Sequence, residues 1–375
     1  MKKLIYIANI RLPTEKAHGI QIMKTCEALG ISGVKVKLVT PTRINVLATD
    51  PFIFYGVNNN LLEIEEVYVP DTIHFGKGGS VVQSALFFVR ILFLAIHEEG
   101  DTVFYSRDKF IVILLALLGR KIFWEAHSGS AGILTRLATR MPRGVIAISQ
   151  GIKKDLVRYR QYDKKIIVAH DGVDLKQYNI SKSKEETRKQ LGLPLDRKII
   201  TYSGSLNLYS WKGTDVFIEA ARLFDPQIYL FLLVGGSQED ILWMKKVTES
   251  APVLFVGQQL PENVPLYLRA SNVLVLPNKK GDVISECYTS PMKLFEYMAS
   301  EVPIVASRLP SIEEVLSDDN SCLVEPNNAL ELAVGIRKVV MDEQYSRNIA
   351  TQARVDVLNY TWSKRAEIII NFIKF

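Results

Sequence analysis

The chain has 375 residues, more than a single hydrophobic core usually supports, so two domains are expected. A hydrophobic share of 48% and a charged share of 23% are those of a globular protein and exclude an intrinsically disordered one. The three cysteines, Cys26, Cys287 and Cys322, are too scattered for a zinc site or a disulfide framework, and they favour a reducing compartment.

The net charge of +6 is concentrated in the first half of the chain. Residues 1–181 carry 24 Lys and Arg against 16 Asp and Glu, whereas the remaining residues carry 22 against 24. The basic clusters at 136–143 and 153–165 fit an anionic membrane surface or an acidic substrate, and they fit a set of solvated helix faces equally well. No nucleic-acid partner is expected, because these residues are not interleaved with aromatic residues in a recognisable binding module.

The first half of the chain alternates between strands and helices. Strands are predicted at KLIYIAN, VKVKLVT, TVFYS, KIFWEAH, GVIAIS and KIIVAH, and helices near 19–30, 80–98, 109–119, 129–140 and 149–160. The basic, apolar N-terminus superficially resembles a secretion signal, but Asn9 and the absence of a small-residue cleavage motif favour a buried strand.

Two apolar runs in this half, ALFFVRILFLAI and FIVILLALLG, raise the question of a membrane span. Each is too short or is interrupted by Arg90, so no transmembrane segment is predicted. The expected location is the cytoplasm, with peripheral binding at the inner face of the membrane as a further hypothesis.

A second alternating series follows a polar linker, DGVDLKQYNISKSK, placed at 171–182. Its strands are predicted at RKIITYSG, QIYLFLLVG, PVLFVG, NVLVLP and PIVAS, with helices near 212–224, 238–249, 262–270 and 291–299. The alternation predicts an α/β fold of two doubly wound, Rossmann-like domains at 1–170 and 183–358, which face a central cleft. An amphipathic helix at 359–375 is expected to pack back on the first domain. A dehydrogenase is disfavoured, because neither half contains a G-x-G-x-x-G fingerprint.

Polar residues at the predicted strand ends are the first site candidates, since open α/β sheets bind ligands there. His127 follows KIFWEA, Arg107 and Asp108 follow TVFYS, and the loop after LIYIAN contains His18 and Gly19. Each of these residues could instead have a purely structural role. His127 could be a histidine whose hydrogen bonds are all made within the fold, and Arg107 and Asp108 could form a local salt bridge.

The segment SPMKLFEYMASEVPIVAS begins with a predicted helix start, Ser290 as the N-cap and Pro291 as the first helical residue. Lys293 and Glu296 lie three residues apart on one stripe, and in isolation they would form a surface pair worth a few tenths of a kcal/mol.

The second domain favours a diphosphate attached to a sugar. The helix starts near 212 and 291 present unpaired N–H groups, and Lys212 and Lys293 add full positive charges, so a metal is not required. Glu296, further along its helix, is a carboxylate able to accept two hydrogen bonds from a ribose diol.

Four stretches together, SPMKLFEYMASEVPIVAS, YSGSLNLYSWKG, WEAH and HDGVD, resemble the retaining glycosyltransferases of family 4, which have the GT-B fold. The chain is similar to bacterial surface-polysaccharide glycosyltransferases over nearly its whole length. The resemblance implies an enzyme that transfers a hexosyl or related group from a nucleotide sugar, with retention of configuration. It further implies a glycan or lipid-linked acceptor and no cofactor or metal.

The predicted catalytic set is His127, Lys212 and Glu286; on the family's pattern His127 contacts the donor sugar and Lys212 the diphosphate, whereas Glu286 is the candidate to replace an absent glutamate. His18, Arg107 and Asp108 would lie on the side of the acceptor or of the donor sugar. Donor-binding roles are predicted, from the helix starts, the strand ends and the resemblance together, for Gly19, Gly204, Ser205, Lys212, Gly257, Ser290, Pro291, Met292, Lys293 and Glu296.

The chain departs from that pattern at three places. Tyr288 stands where many members have the first of two glutamates, and Glu286 lies two positions earlier. Ser205 follows Gly204 where many members have an arginine, and Lys293 and Arg107 are the candidates to supply that charge. His18-Gly19 replaces a pair of glycines.

Two rival functions remain open at this point, a non-hydrolysing nucleotide-sugar epimerase and a catalytically inactive glycosyltransferase-like subunit. A two-lobed solute-binding protein is disfavoured, because it would normally carry an export signal. We rank the transferase first.

Overall fold

The computed structural model describes residues 2–45, 47–159, 163–206, 210–247 and 252–374. The chain divides into two compact units, Met1–Gly172 with Trp362–Phe375 (unit 1) and Val173–Thr361 (unit 2). Each unit contains one parallel sheet with helices around it, as predicted for two Rossmann-like domains.

Unit 1 has a seven-stranded sheet in the order β3-β2-β1-β4-β5-β6-β7. Its strands are β1 Lys3–Ile7, β2 Lys35–Pro41, β3 Leu62–Val67, β4 Val103–Ser106, β5 Lys121–Ala126, β6 Gly144–Ala147 and β7 Ile166–Val168. The central strands are continuous buried runs, as expected for a parallel sheet covered on both faces.

Strand β3 was not predicted, because LEIEEV contains three glutamates. It lies at the edge of the sheet, and Lys37 of β2 pairs with Glu65 at 2.7 Å and with Glu63 at 3.4 Å. Charged residues at an edge strand also discourage pairing with other chains.

The helices of unit 1 include the last helix of the chain. They are α1 Ala17–Ile31, α2 Pro51–Tyr55, α3 Gly76–His97, α4 Lys109–Leu117, α5 Ile133–Arg140, α6 Gln150–Val157 and α16 Trp362–Ile373. Phe372 of α16 lies 5.8 Å from Phe123 between ring centroids, and a Cβ on Gly144 would lie 2.5 Å from the Phe372 ring. Glycine in β6 therefore makes room for α16. Residue 160, the predicted end of the helix near 149–160, lies outside the described residues.

Helix α3 is longer than the sequence argument allowed. With the preceding turn it forms a 25-residue segment, Ile73–His97, that is long and apolar enough to cross a membrane, and 28% of its most apolar stretch is buried. The expectation that this run is too short was wrong, because Arg90 is a single charge that does not interrupt the helix.

Unit 2 has a six-stranded sheet in the order β10-β9-β8-β11-β12-β13. Its strands are β8 Lys198–Ser203, β9 Tyr229–Val234, β10 Val253–Gly257, β11 Val273–Leu276, β12 Ile304–Ser307 and β13 Cys322–Val324. Its helices are α7 Leu175–Tyr178, α8 Lys184–Leu191, α9 Thr214–Ala221, α10 Gln238–Val247, α11 Val264–Arg269, α12 Met292–Ala299, α13 Pro310–Glu313, α14 Ala329–Met341 and α15 Glu343–Asp356. Residues 248 and 249, the predicted end of the helix near 238–249, are outside the described part of the chain.

In both sheets the strand order reverses at one point, between β1 and β4 in unit 1 and between β8 and β11 in unit 2. The loops that follow these strands diverge to opposite faces and leave a crevice at the carboxyl edge of the sheet. The candidate residues predicted from the sequence lie in and near these loops.

Candidate functional site

Three neighbouring strands of unit 2 end in glycines whose backbones meet. The N–H of Gly204, after β8, donates to the Val234 carbonyl at 2.8 Å, and the Gly235 N–H donates to the Gly257 carbonyl at 2.8 Å. A Cβ on Gly235 would lie 2.2 Å from the Gly204 carbonyl oxygen. A side chain is therefore excluded at Gly235, and Gly204, with φ 137°, would be strained for any other residue.

Lys212 is brought back to the end of β8 by a turn that requires glycine. Gly213 has φ 70°, and a Cβ there would lie 1.8 Å from the Pro277 carbonyl oxygen, so the turn packs directly on the end of β11. The Nζ of Lys212 donates to the Ser205 Oγ at 2.5 Å. Burial lowers the pKa of Lys212 to about 8. Residues 207–209 of the intervening loop lie outside the described residues.

Lys293 reaches the same place from α12. Its Nζ lies 4.0 Å from the centroid of the Tyr202 ring, and a Cβ on Gly204 would lie 3.8 Å from it. This Nζ is buried and has no hydrogen-bond partner among the residues that the structure describes. Burial and the neighbouring Lys212 lower the pKa of Lys293 well below its ordinary value. Two lysine ammonium groups thus lie beside Gly204.

Helix α12 begins one residue later than predicted. Pro291 is the N-cap residue, with φ −74° and ψ 117°, and the helix starts at Met292. The N-cap residue makes no side-chain hydrogen bond to the first turn, and the prediction that Ser290 is the N-cap was wrong; Ser290 is buried just before the helix. The positive end of the α12 dipole therefore receives no capping hydrogen bond from the N-cap side chain.

Glu296 does not form the surface pair with Lys293 that the sequence left open. No ion pair or hydrogen bond of its carboxylate is present among the described residues, although Lys293 is near enough to lower its pKa. Burial dominates and raises the pKa of Glu296 to about 7. Tyr178 of α7 is also close, since Glu296 adds to the effect of burial in raising its pKa. A carboxylate in such surroundings is stabilised by a ligand that donates hydrogen bonds.

Asn278 is a candidate that sequence reasoning missed. It follows β11, is 0% exposed, and neither polar atom of its side chain has a partner in the described ranges. The signal was available, because Asn278 directly follows the predicted strand NVLVLP, and β11 pairs with β8 at the reversal of strand order.

Glu286 lies in a π-helical turn, Ile284–Tyr288, after β11. Its Oε1 accepts a hydrogen bond from the Gly281 N–H at 2.6 Å. Within the described residues no hydrogen bond or ion pair joins it to Lys212 or Lys293. Its carboxylate therefore stabilises this turn. Single π-helical turns are frequent at functional sites.

In unit 1, Glu125 is the centre of a buried network. It is 0% exposed and accepts hydrogen bonds from Arg365 Nη2 at 2.7 Å, Tyr105 Oη at 2.6 Å, Gln21 Nε2 at 2.7 Å and His127 Nε2 at 2.6 Å. Burial alone would raise the pKa of Glu125, but Arg365 and His127 outweigh it and hold that pKa below its ordinary value. Glu125 is therefore an ionised, fully bonded carboxylate.

This network fixes the protonation and orientation of His127. Burial and Arg107 lower the pKa of His127 to about 4, against the raising effect of Glu125, so the imidazole is neutral at pH 7. Because Nε2–H donates to Glu125, Nδ1 is left as the hydrogen-bond acceptor of the ring. Nε2 is therefore satisfied as in a purely structural histidine, whereas Nδ1 remains an acceptor.

Arg107 and Asp108 do not form the local salt bridge that the sequence left open. Arg107 Nη1 donates to Gln21 at 3.1 Å, and its Nε lies 4.0 Å from Glu125 Oε1. The Asp108 carboxylate caps α4 by accepting from the N–H groups of Phe110 and Ile111. Asp108 is therefore committed to the helix start, whereas Arg107 faces the Glu125 network.

His18 and Gly19 lie in the first turn of α1, which has no side-chain cap. Burial, with help from Arg107, lowers the pKa of His18 to about 4. A Cβ on Gly19 would lie 2.1 Å from the Tyr55 Oη, so the packing of Tyr55 is sufficient to require glycine there. Within the described residues, no group of three or more His, Cys, Asp or Glu is placed to hold a metal ion.

Residues 183–356, just under half of the chain, match the family model of the group 1 glycosyl transferases. An uncharacterized glycosyltransferase of Methanocaldococcus jannaschii is 24% identical, with 61% of this chain and 59% of that protein covered. The N-acetyl-alpha-D-glucosaminyl L-malate synthase of Bacillus anthracis is 25% identical, with 66% and 63% covered. The chain therefore spans less than two thirds of the length of these relatives.

Among solved structures, HepE of Anabaena in complex with UDP and glucose superposes with a TM-score of 0.76 at 18% identity, with 100% of both chains covered. A likeness at this identity establishes the fold. The prediction of a GT-B fold, built from two Rossmann-like domains, is confirmed.

Proposed function

We propose that this protein is a glycosyltransferase that transfers a sugar from a nucleotide-sugar donor, with retention of configuration, to a glycan or lipid-linked acceptor in surface polysaccharide synthesis. The observation that carries the proposal is the convergence of Lys212 and Lys293 beside Gly204, with Lys293 in the first turn of α12. It lies in the part of the chain that matches the group 1 model. A related fold solved with UDP and glucose supports a nucleotide sugar as the donor.

The donor diphosphate is assigned to the two lysines. Both have pKa values lowered by burial, and Lys293 has no hydrogen-bond partner in the described ranges, so their charged forms are poorly stabilised by the protein alone. A bound dianion would supply that stabilisation, with the Gly204 loop and the α12 dipole adding backbone contacts. Lys293 would then provide the charge that the family's arginine supplies, and no metal is required.

The nucleoside is assigned to the side of α12. Glu296 lies about one turn beyond Lys293, and its carboxylate would accept hydrogen bonds from the two ribose hydroxyls. Its raised pKa would fall when these donors arrive, because hydrogen bonds to the ionised form favour it.

The donor sugar is assigned to His127. Its Nδ1 would accept a hydrogen bond from a sugar hydroxyl, with the ring held by Glu125, which is itself fixed by Arg365. His127 acts here by binding and orientation, since a neutral imidazole with a pKa of about 4 is a poor proton donor at pH 7.

The chemistry would follow from stabilising the leaving group. The bond between the anomeric carbon and the diphosphate oxygen breaks, and Lys212 and Lys293 stabilise the negative charge that develops on the phosphate. The acceptor hydroxyl attacks the same face of the sugar, and its proton passes to the departing phosphate oxygen. Glu286 is not assigned the role of a nucleophile, because its carboxylate is hydrogen-bonded to Gly281.

The test is turnover with a panel of nucleotide sugars and simple glycan acceptors. Release of nucleoside diphosphate measures the rate, and NMR of the product gives its anomeric configuration. Donor-dependent formation of a product with the donor's anomeric configuration is expected. A new sugar isomer formed from the donor alone would identify an epimerase. Tight donor binding without transfer or hydrolysis would identify an inactive subunit.

A further inference from the structure

Four cationic side chains lie together near the amino end of β8 in unit 2. They are Lys184 and Arg188 of α8, Lys198 of β8 and Arg269 of α11, and we name them the Lys184 cluster. Burial lowers the pKa of Lys184 to about 8 with the help of the other three charges, which therefore lie close to its ammonium. Strand β8 ends at Ser203, five residues after Lys198 and about 17 Å along the strand, so the cluster is separate from the donor site at the other end.

The two arginines of the cluster are held by neutral groups. Arg188 is 5% exposed, and its guanidinium donates to the Ala270 carbonyl at 2.8 Å and to the Asn272 Oδ1 at 2.7 Å. The Nε of Arg269 donates to the Lys182 carbonyl at 3.3 Å. These bonds fix the positions of the arginines but leave their positive charges without a carboxylate partner among the described residues.

The acidic residues that follow Lys184 in α8 are committed to other contacts. Glu185 pairs with Lys189 at 2.8 Å, and Glu186 accepts from the Ser183 N–H and Oγ at 2.8 Å each. Within the ranges that the structure describes, the Lys184 ammonium has no hydrogen bond or ion pair, and the charges near enough to change its pKa are all positive. The cluster is therefore a concentration of uncompensated positive charge.

Fold stability does not explain the position of Lys184. It is the first residue of α8, where the positive end of the helix dipole disfavours a cation. Arg269 differs, because it lies in the last turn of α11, where the dipole favours a cation. A half-buried ammonium beside three like charges and a helix start is stabilised by an anion.

The side chain of Arg269 points to phosphate as the anionic group. Its Nε is used by the Lys182 carbonyl, whereas its two terminal nitrogens make no hydrogen bond among the residues that the structure describes. The planar guanidinium matches two oxygens of one phosphate, and the lysine ammonium groups add charge without a fixed geometry. Lys184 is half-buried, which favours a compact anion over an extended acidic polypeptide.

We propose that the Lys184 cluster binds a soluble, multiply charged phosphate compound, such as a diphosphate or a phosphate ester, at a site separate from the donor site. Arg269 binds the phosphate oxygens, and Lys184 and Lys198 neutralise the remaining charge. The ligand is an effector and not a substrate, because the strand β8 separates it from the residues assigned to the donor. The proposal does not rest on the proposed function.

Competitive acetylation of the lysines, measured by peptide mass spectrometry, tests the proposal residue by residue. Near pH 8, millimolar inorganic pyrophosphate should lower the acetylation rate of Lys184 by at least about fivefold, because a bound anion covers the amine and raises its pKa. Lys189 is the internal control, since it lies on the same helix but is paired with Glu185, and its rate should not change. Lys212 reports pyrophosphate at the donor site in the same spectra, so the two sites are scored separately.

The arginine is tested by substitution. Arg269→Gln should raise the pyrophosphate concentration that half-protects Lys184 by at least about tenfold, because the two-point contact with phosphate is lost. Arg347→Gln is the matched control, because Arg347 is an exposed cation of the same unit that pairs with Glu343 at 3.4 Å. Should Arg269→Gln fail to fold, Lys198→Gln changes an exposed side chain of the cluster and should also weaken protection.

Three outcomes would overturn the proposal. The first is an acetylation rate of Lys184 that pyrophosphate does not change, or that it changes equally in wild type and in the cluster variants. The second is protection of Lys184 that disappears in Lys293→Met, which would make it an indirect effect of the donor site. The third is protection by an oligo-aspartate peptide but not by pyrophosphate, which would make an acidic protein segment the ligand.

Discussion

Buried charged side chains have different surroundings in the two units. In unit 1, Glu125 accepts four hydrogen bonds from side chains of its own unit, and Arg365 pairs with it at 2.7 Å. In unit 2, the Nζ of Lys293 is buried with no hydrogen-bond partner in the described part of the chain, and the pKa of Glu296 is raised. The first group is complete as folded and fixes the position of a histidine, whereas the second is the one that we propose to be completed by the bound donor.

The largest expected effect is the loss of the Arg365 pair. Arg365→Met should destabilise the protein by about 3–5 kcal/mol, because it leaves the Glu125 carboxylate buried without its cation. The free energy of unfolding in urea measures this. The double variant Glu125→Gln/Arg365→Met should recover part of the loss. A single variant as stable as wild type would mean that unit 1 does not depend on this pair.

Removal of Lys212 should have the next largest effect, on turnover. Lys212→Ala is expected to lower kcat by roughly 10²-fold or more, as for the loss of one donor to a developing oxyanion. Lys279→Ala is the matched control, because Lys279 lies in the same unit but is paired with Asp215 at 2.8 Å. An unchanged kcat for Lys212→Ala would contradict the assignment of the leaving group to this lysine.

In the ligand-free protein, Lys293→Met should change the free energy of unfolding in the direction opposite to Arg365→Met. Replacing a buried ammonium that has no hydrogen-bond partner among the described residues by an apolar side chain of similar length should raise the free energy of unfolding by about 1 kcal/mol. A loss of stability would show that Lys293 is already well stabilised without a ligand.

A further expected effect is the pH dependence contributed by Glu296. Its pKa is about 7 in the folded protein and about 4.3 when unfolded, so the native state binds more protons in this window. Its contribution to stability is therefore lost as the pH rises from about 4.3 to 7. Thermal unfolding of Glu296→Gln should lack this decline, and parallel pH profiles of variant and wild type would contradict it.

The same contrast explains how much could be predicted from the sequence. Buried apolar runs such as β5 and β11 predicted strands, and their order along the chain predicted which polar residues share the carboxyl edge of each sheet. Strand β3 was missed because its pattern is charged. The start of α12 was misplaced by one residue, because local rules do not fix which of Ser290 and Pro291 takes the extended backbone.

Contacts between distant residues could not be predicted. Glu125 is 240 residues from Arg365, and Gly19 is a glycine because Tyr55 packs against it. Neither relation leaves a periodic or local signal in a single sequence. Lys212, Lys293 and Glu296, the residues of the proposed donor site, could be predicted because strand ends and helix starts are local features.

The most direct measurement is calorimetric binding of a panel of nucleoside diphosphates to the wild type, to Lys293→Met and to Lys279→Met. We predict that one or more members of the panel bind the wild type, that Lys293→Met binds at least about tenfold more weakly, and that Lys279→Met binds as the wild type does. Equal affinities for wild type and Lys293→Met would contradict the claim that the buried lysine beside Tyr202 is completed by the donor diphosphate.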